Sequence, residues 1–246
     1  MTLLNAINRF GLSRSIPSDI KRKIRQNSGF GCVICGCGIF DYEHVDPLWI
    51  DAESHDAENM TLLCPTCHAK KTRGMMSIQT IHSAMNDPKT KQNGYSSDIF
   101  DFHDKHPFIE FGGVRLENCP VPIQVNGAPL FQIDSPEEPG TPFRLSAEFY
   151  DSFGQKSLFI LKNEWRAFNT NWDVEVKGPT ITIREKAGKL NLTLTAVPPE
   201  GIIIERLQMN YQEWKFLGGK DYLTVNGMTF TDCLVSNCSV GMAFGY

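Results

Sequence analysis

The chain has 246 residues, 41% of them apolar, and a formal net charge of −4. That length suits one large domain or two ordinary ones, and that apolar share can bury a core. No apolar run approaches the roughly 18 residues of a membrane-spanning helix, so no membrane partner is expected.

The charge is unevenly spread. Residues 1–106 hold 12 Lys/Arg and 12 Asp/Glu, whereas 107–246 hold 12 and 16, so the acidic excess belongs to the second part. The opening Met1-Thr-Leu-Leu-Asn-Ala-Ile-Asn-Arg9 lacks a basic start, an apolar stretch and a small-residue cleavage site, and does not read as a secretory signal. Between Arg9 and Arg25 lie Arg9, Arg14, Lys21, Arg22, Lys23 and Arg25, with Asp19 the one acid. Such a strip can contact phosphates, with Lys21, Arg22 and Arg25 as candidates; a solvated helix face is the plain alternative.

In chain order, Pro17 and Ser18 open a short helix that Ser18 would cap, with Ile20 and Ile24 facing inward. Gly29, Gly31, Gly36 and Gly38 punctuate the first cysteine pair, as a tight knuckle requires. Ile39 to Val45 and Asn59 to Leu63 can be strands. Pro65 suits the first turn of a helix running to about Arg73, and Ser77 to Met85 reads as another. From Asn86 to Pro107 the composition shifts to polar residues, Gly and Pro, with little periodicity, and 89–106 reads as a linker.

From 107 onward the pattern changes to alternating apolar residues with turn signals. Asn126-Gly127 between two alternations predicts a hairpin. Phe143–Tyr150, Ser157–Leu161, Trp172–Lys177, Thr180–Arg184, Leu190–Val197 and Ile202–Leu207 read as further strands of a sandwich- or barrel-like domain. Thr231-Asp-Cys-Leu-Val235 and Ser236-Asn-Cys-Ser-Val240 form a faint repeat that could stack as coils of a short β-solenoid, with Cys233 and Cys238 in its core.

Eight cysteines are present, and four fall as Cys32-x-x-Cys35 and Cys64-x-x-Cys67. Each pair can grip one edge of a tetrahedron with Zn–S near about 2.3 Å, which predicts a structural zinc and a reducing, cytoplasmic setting, prokaryotic or phage. Cys37 reads as a spare thiol beside the site, and Cys119 has no partner in the sequence.

Between and beyond the pairs lie Glu43-His44, Pro47, Asn59, Leu63-Cys64-Pro-Thr-Cys67-His68 and Lys71. This arrangement, over about residues 14–74, resembles the HNH endonucleases of the ββα-metal (His-Me finger) class. The resemblance implies a DNA-cutting hydrolase with one catalytic divalent ion, and that Asn59 fixes the loop carrying His44 or, in some members, binds the metal. Many members have Asp where this chain has Glu43, which leaves open whether Glu43 or Asp41 faces the ion; Asp46 is a further possible helper.

The residue chemistry leads to the same roles. Phosphodiester hydrolysis needs an attacking water, a base, and a cation for the charge that develops. His44 is the candidate base; Glu43 and His68 are candidate ligands of Mg²⁺ or Mn²⁺; Lys71 and Arg73 are candidate phosphate contacts. His55, His82, His103 and His106 read as solvated. Trp49, Trp165, Trp172 and Trp214 read as packing residues.

The expected fold is α+β. A nuclease domain spans 1–88, the linker 89–106, and a mostly-β accessory domain 107–246 that targets, senses or dimerises. Restriction or phage defence would suit such a two-part enzyme. The alternatives are a non-catalytic zinc module that binds nucleic acid, and a ligand-sensing β domain with the nuclease as its output. The sequence does not separate DNA from RNA, and double-strand cutting would favour a homodimer.

Overall fold

The computed structural model describes residues 7–245. The opening Met1 to Ala6, part of the stretch read for a secretory signal, lies outside them. The chain divides into two compact units, Met1–Ser97 and Asp98–Tyr246. It is α+β with few helices and mostly strands. Among the described residues, no helix is long and apolar enough to cross a membrane.

The first unit begins with α1 (Ser18–Ser28). Ser18 does not cap it; Pro17 holds the cap position and no side chain closes the end. The helix stops at Gly29, whose φ of +66° is left-handed. A Cβ there would also lie 2.5 Å from Thr90 Oγ1, so this glycine answers to sterics twice over. Two antiparallel strands follow, β1 (Asp41–His44) and β2 (Met60–Leu63), in a register that sets Glu43 opposite Thr61 and His44 opposite Met60. Then come α2 (Pro65–Thr72) and α3 (Ile78–Asn86), the latter capped by Ser77 Oγ on Thr80 N–H at 3.1 Å.

β2 is buried along its length and divides two cores. Met60 and Leu62 pack with Ile24 of α1 and Ala57. Leu63 packs with Val33, Val45, Ile81 and the buried cysteines. The alternation of side chains along a strand produces this division directly. The stretch read as a linker is structured where it begins: α4 (Lys89–Asn93) and β3 (Tyr95–Ile99) lie within 89–106. Thr90 explains part of this order, since its buried hydroxyl donates to Ser28 O at 2.6 Å.

The second unit is built from strands. These are β4 (Phe108–Phe111), β5 (Val114–Glu117), β6 (Val121–Val125), β7 (Ala128–Asp134), β8 (Arg144–Tyr150), β9 (Lys156–Leu161) and β10 (Glu164–Phe168), then β11 (Asp173–Lys177), β12 (Thr180–Lys186), β13 (Lys189–Val197), β14 (Gly201–Tyr211), β15 (Trp214–Gly218), β16 (Leu223–Val225), β17 (Met228–Phe230), β18 (Cys233–Ser236) and β19 (Val240–Phe244). One sheet follows chain order from β11 to β17. Another runs β19-β6-β7-β8-β9-β10. Asn126 and Gly127 join β6 to β7 with positive φ at both positions, the geometry such a pair favours. Phe111, Phe131 and Phe149 form an edge-to-face column with ring centroids 5.1 and 5.2 Å apart, linking β4, β7 and β8 in one core.

The terminal repeat behaves differently from the sequence expectation. Its two segments run end to end, and β18 and β19 pair in parallel with β5 and β6 respectively. His106 also departs from its solvated reading: it is half-buried, edge-on to Phe143 at 5.2 Å.

Candidate active site and metal centre

Cys32 and Cys35 flank a tight turn in which Gly36 N–H donates to Cys32 O at 2.8 Å; Gly36 has a φ of +86°. Cys64 caps α2, its Sγ accepting from Cys67 N–H at 3.4 Å. The helix therefore presents both of its cysteines to the first pair. All four Sγ atoms lie within 4.8 Å of one another, with Cys35–Cys64 at 3.6 Å and Cys67–Cys35 at 3.9 Å. A tetrahedral site with Zn–S bonds of about 2.3 Å has edges of about 3.8 Å, so the cluster fits the ion. Cys32 is held well below the ordinary thiol range by the Cys35 side chain, while burial pushes Cys67 up. A divalent cation would resolve this crowding by taking all four as thiolates. Cys37 is outside the four, its Sγ directed at Ile39 O at 3.5 Å.

Beside this cluster, β1 and α2 bring their polar side chains together. His68 Nε2 is 3.0 Å from Glu43 Oε2, and His68 Nδ1 is 3.8 Å from Asp41 Oδ2. Lys71 pairs with the other oxygen of Glu43 and donates to His44 O at 3.2 Å. Its side chain is 11% exposed, so it braces the carboxylate and the strand end rather than reaching outward.

Glu43, His44 and His68 line one cleft of about 340 Å³, with Arg14, Tyr42, Trp49 and Ile50 among the other walls. A straight strand would set His44 on the face opposite Glu43; here both reach the cleft at the strand end. His44 Nε2 lies 3.2 Å from His55 Nδ1. Burial, followed by the charge of His55, lowers the His44 pKa to about 4, which leaves a neutral imidazole near pH 7.

Asn59 stands one residue before β2. Its carbonyl accepts from Val45 N–H at 3.0 Å, and its amide donates to Asp56 Oδ2 at 2.8 Å. It thus ties the loop that follows His44, and it is not among the residues lining the cleft. Asp46 likewise stands outside that lining.

The basic strip separates. Arg25 is 3% exposed and donates to the Tyr42 hydroxyl at 2.6 Å; it is buried against β1, whereas the sequence expectation set it on an exposed strip. Lys21 Nζ lies 5.5 Å from the Tyr42 ring centre, and Arg22 is half-buried. Arg73 is exposed at the end of α2. Arg14, not singled out beyond the strip, stacks 3.9 Å from the Trp49 ring centre at the cleft wall.

His55 is the residue that sequence reasoning missed. It was read as solvated in a polar loop, yet its Nε2 is buried without a hydrogen-bond partner and its Nδ1 meets His44. Its one sequence signal was its place between His44 and Asn59.

Residues 32–74 match the family model described as HNH endonuclease. The N-terminal unit therefore carries an HNH endonuclease domain, with a four-cysteine cluster compatible with zinc. No curated protein and no solved structure matches the chain.

Proposed function

We propose that the protein is a metal-dependent endonuclease that hydrolyses phosphodiester bonds of DNA, with His44 as the general base. The observation that carries this reading is the convergence of Glu43, His44 and His68 on one cleft beside the four-cysteine cluster. Glu43 and His68 offer a carboxylate oxygen and an imidazole nitrogen 3.0 Å apart, a donor set suited to Mg²⁺ or Mn²⁺. When bound, that ion supplies charge stabilisation for the reacting phosphate and the leaving oxygen.

The chain's own residues do the rest. His44 Nε2 lies 3.2 Å from His55 Nδ1; in the tautomer in which His44 donates there, its Nδ1 is left to take a proton from water. Lys71 fixes Glu43 and the strand end; Asn59 fixes the loop behind His44. Arg14, on its Trp49 platform, supplies a cation for the DNA backbone at the cleft, with Lys21, Arg22 and Arg73 on the surrounding surface. The cysteine cluster holds a structural zinc: four thiolates leave no open position for substrate. The second unit, with its acidic balance, is an accessory part rather than the main DNA surface.

The test is purified protein on supercoiled plasmid with Mg²⁺ or Mn²⁺, beside His44→Ala and an EDTA control. Cutting that needs both His44 and the divalent ion supports the reading. Equal cutting by His44→Ala removes the base assignment. DNA binding without cutting, from zinc-loaded protein, replaces the enzyme with a zinc-dependent binding module.

A further inference from the structure

Cys119 and Cys238 stand at equivalent places in two stacked turns of the second unit. Cys233 pairs with Val114 and Val240 with Val121, so the segments β5–β6 and β18–β19 run in parallel at a constant offset of 119 residues. The register continues through the corner between them. Asn237 N–H donates to Glu117 O at 3.1 Å, and Val121 N–H to Ser239 O at 3.2 Å. Asn118 and Asn237 both adopt left-handed φ, 51° and 55°, and the Asn118 amide donates to Asn237 Oδ1 at 3.3 Å. The sequence carries the match as Glu117-Asn-Cys-Pro-Val121 against Ser236-Asn-Cys-Ser-Val240. Gly241 permits the close approach of the chains, since a Cβ there would lie 2.7 Å from Pro122 O.

This corner brings the two thiols together. Their Sγ atoms are 2.9 Å apart, and Cys119 also lies 3.2 Å from Glu117 O. In-register parallel neighbours are separated by about 4.8 Å, inside the roughly 4.4–6.8 Å Cα window of a disulfide. Cys119 is fully buried; Cys238 is half-buried.

We propose that Cys119 and Cys238 form a reversible dithiol–disulfide site whose oxidant is a low-molecular-weight disulfide such as oxidised glutathione. The Cys238 thiolate, nearer solvent, attacks one sulfur of the oxidant; that S–S bond breaks and one thiol leaves. Cys119 then loses its proton and attacks Cys238 Sγ, and the second small thiol leaves. Two protein thiols are oxidised and one small disulfide is reduced to two thiols. Burial pushes the Cys119 thiol up to about 11, which suits it to the second step, where the sulfur it attacks is already in contact, rather than to the first. The product ties β18 and β19 to β5 and β6, closing a loop across most of the second unit.

The experiment uses the full zinc-loaded chain, freed of reductant and titrated with oxidised glutathione. Thiols are then alkylated, the protein is digested without reduction, and zinc content is followed in parallel. The expected result is a peptide pair linked through Cys119 and Cys238 at unchanged zinc content. A mass loss of about 2 Da per chain should accompany it. The second unit should melt roughly 5–15 °C higher. Cys119→Ser should instead retain glutathione on Cys238 as a stable mixed disulfide. Alkylation of both cysteines at excess oxidant, a persistent mixed disulfide on the unaltered chain, or linkage only after zinc is lost would each overturn the proposal.

Discussion

Glu43 divides its carboxylate between two partners: Oε2 lies 3.0 Å from His68 Nε2, and Oε1 pairs with Lys71. Asp41, on the same face of β1, stands farther from His68 at 3.8 Å and is 62% exposed. The two acids are therefore unequal. Glu43→Gln should raise the Mn²⁺ concentration needed for half-maximal plasmid cutting by about tenfold or more, and Asp41→Asn by much less. A metal titration of cleavage checks this; equal effects would show that both carboxylates serve the ion.

Cys67 caps the cluster from inside α2, and the buried residues packed with it are Cys32, Cys64, Leu63, Val33, Val45 and Ile81. Cys67→Ser should abolish stoichiometric zinc and the cooperative unfolding of the first unit, because binding energy of such a site is folding energy. Metal analysis with circular dichroism would show it. The strands of the second unit should keep their own transition.

Ile24 is fully buried and joins α1 to β2 through Met60 and Leu62. Ile24→Ala should cost about 2–5 kcal/mol, the transfer loss plus the cavity left behind. Denaturant melts of the first unit would measure it.

His106 predicts a pH dependence in the second unit. Its half-buried ring has an Nδ1 3.0 Å from Pro107 O, and burial holds its pKa below the ordinary 6.5. Above 6.5 both folded and unfolded forms are neutral there, and the group contributes nothing. As pH falls below 6.5 the unfolded chain gains a proton that the folded chain resists, so stability declines until the folded pKa is reached. His106→Gln should flatten that acid-side decline, as chemical denaturation across this range would reveal.

The metal cluster was legible because its information is local: two Cys-x-x-Cys steps and a Pro at the first turn of α2 fix four sulfurs without reference to the rest of the chain. The hairpin at Asn126-Gly127 was legible for the same reason. Arg25 was not. Its charge placed it on a surface strip, and its bond to the Tyr42 hydroxyl, 17 residues on, is a contact across the fold that the strip does not announce. His55 was hidden similarly, since a loop folding back onto His44 leaves no periodic trace. The terminal strands read as a repeat, but their partners lie 119 residues away, and a strand's sequence does not name its neighbour.

One hydrogen bond, Val45 N–H to Asn59 O at 3.0 Å, closes off the excursion from Asp46 to Glu58. What lies outside that clasp, β1, β2 and α2, holds the acid and both histidines of the HNH pattern. What lies inside it supplies Leu48, Trp49 and Ile50 to the cleft wall and His55 to His44. Lengthening a loop costs little once its ends are held. The entrance to the cleft can therefore be recut around a fixed His55 while the reacting groups keep their places, so selectivity and chemistry can drift apart at a single backbone contact.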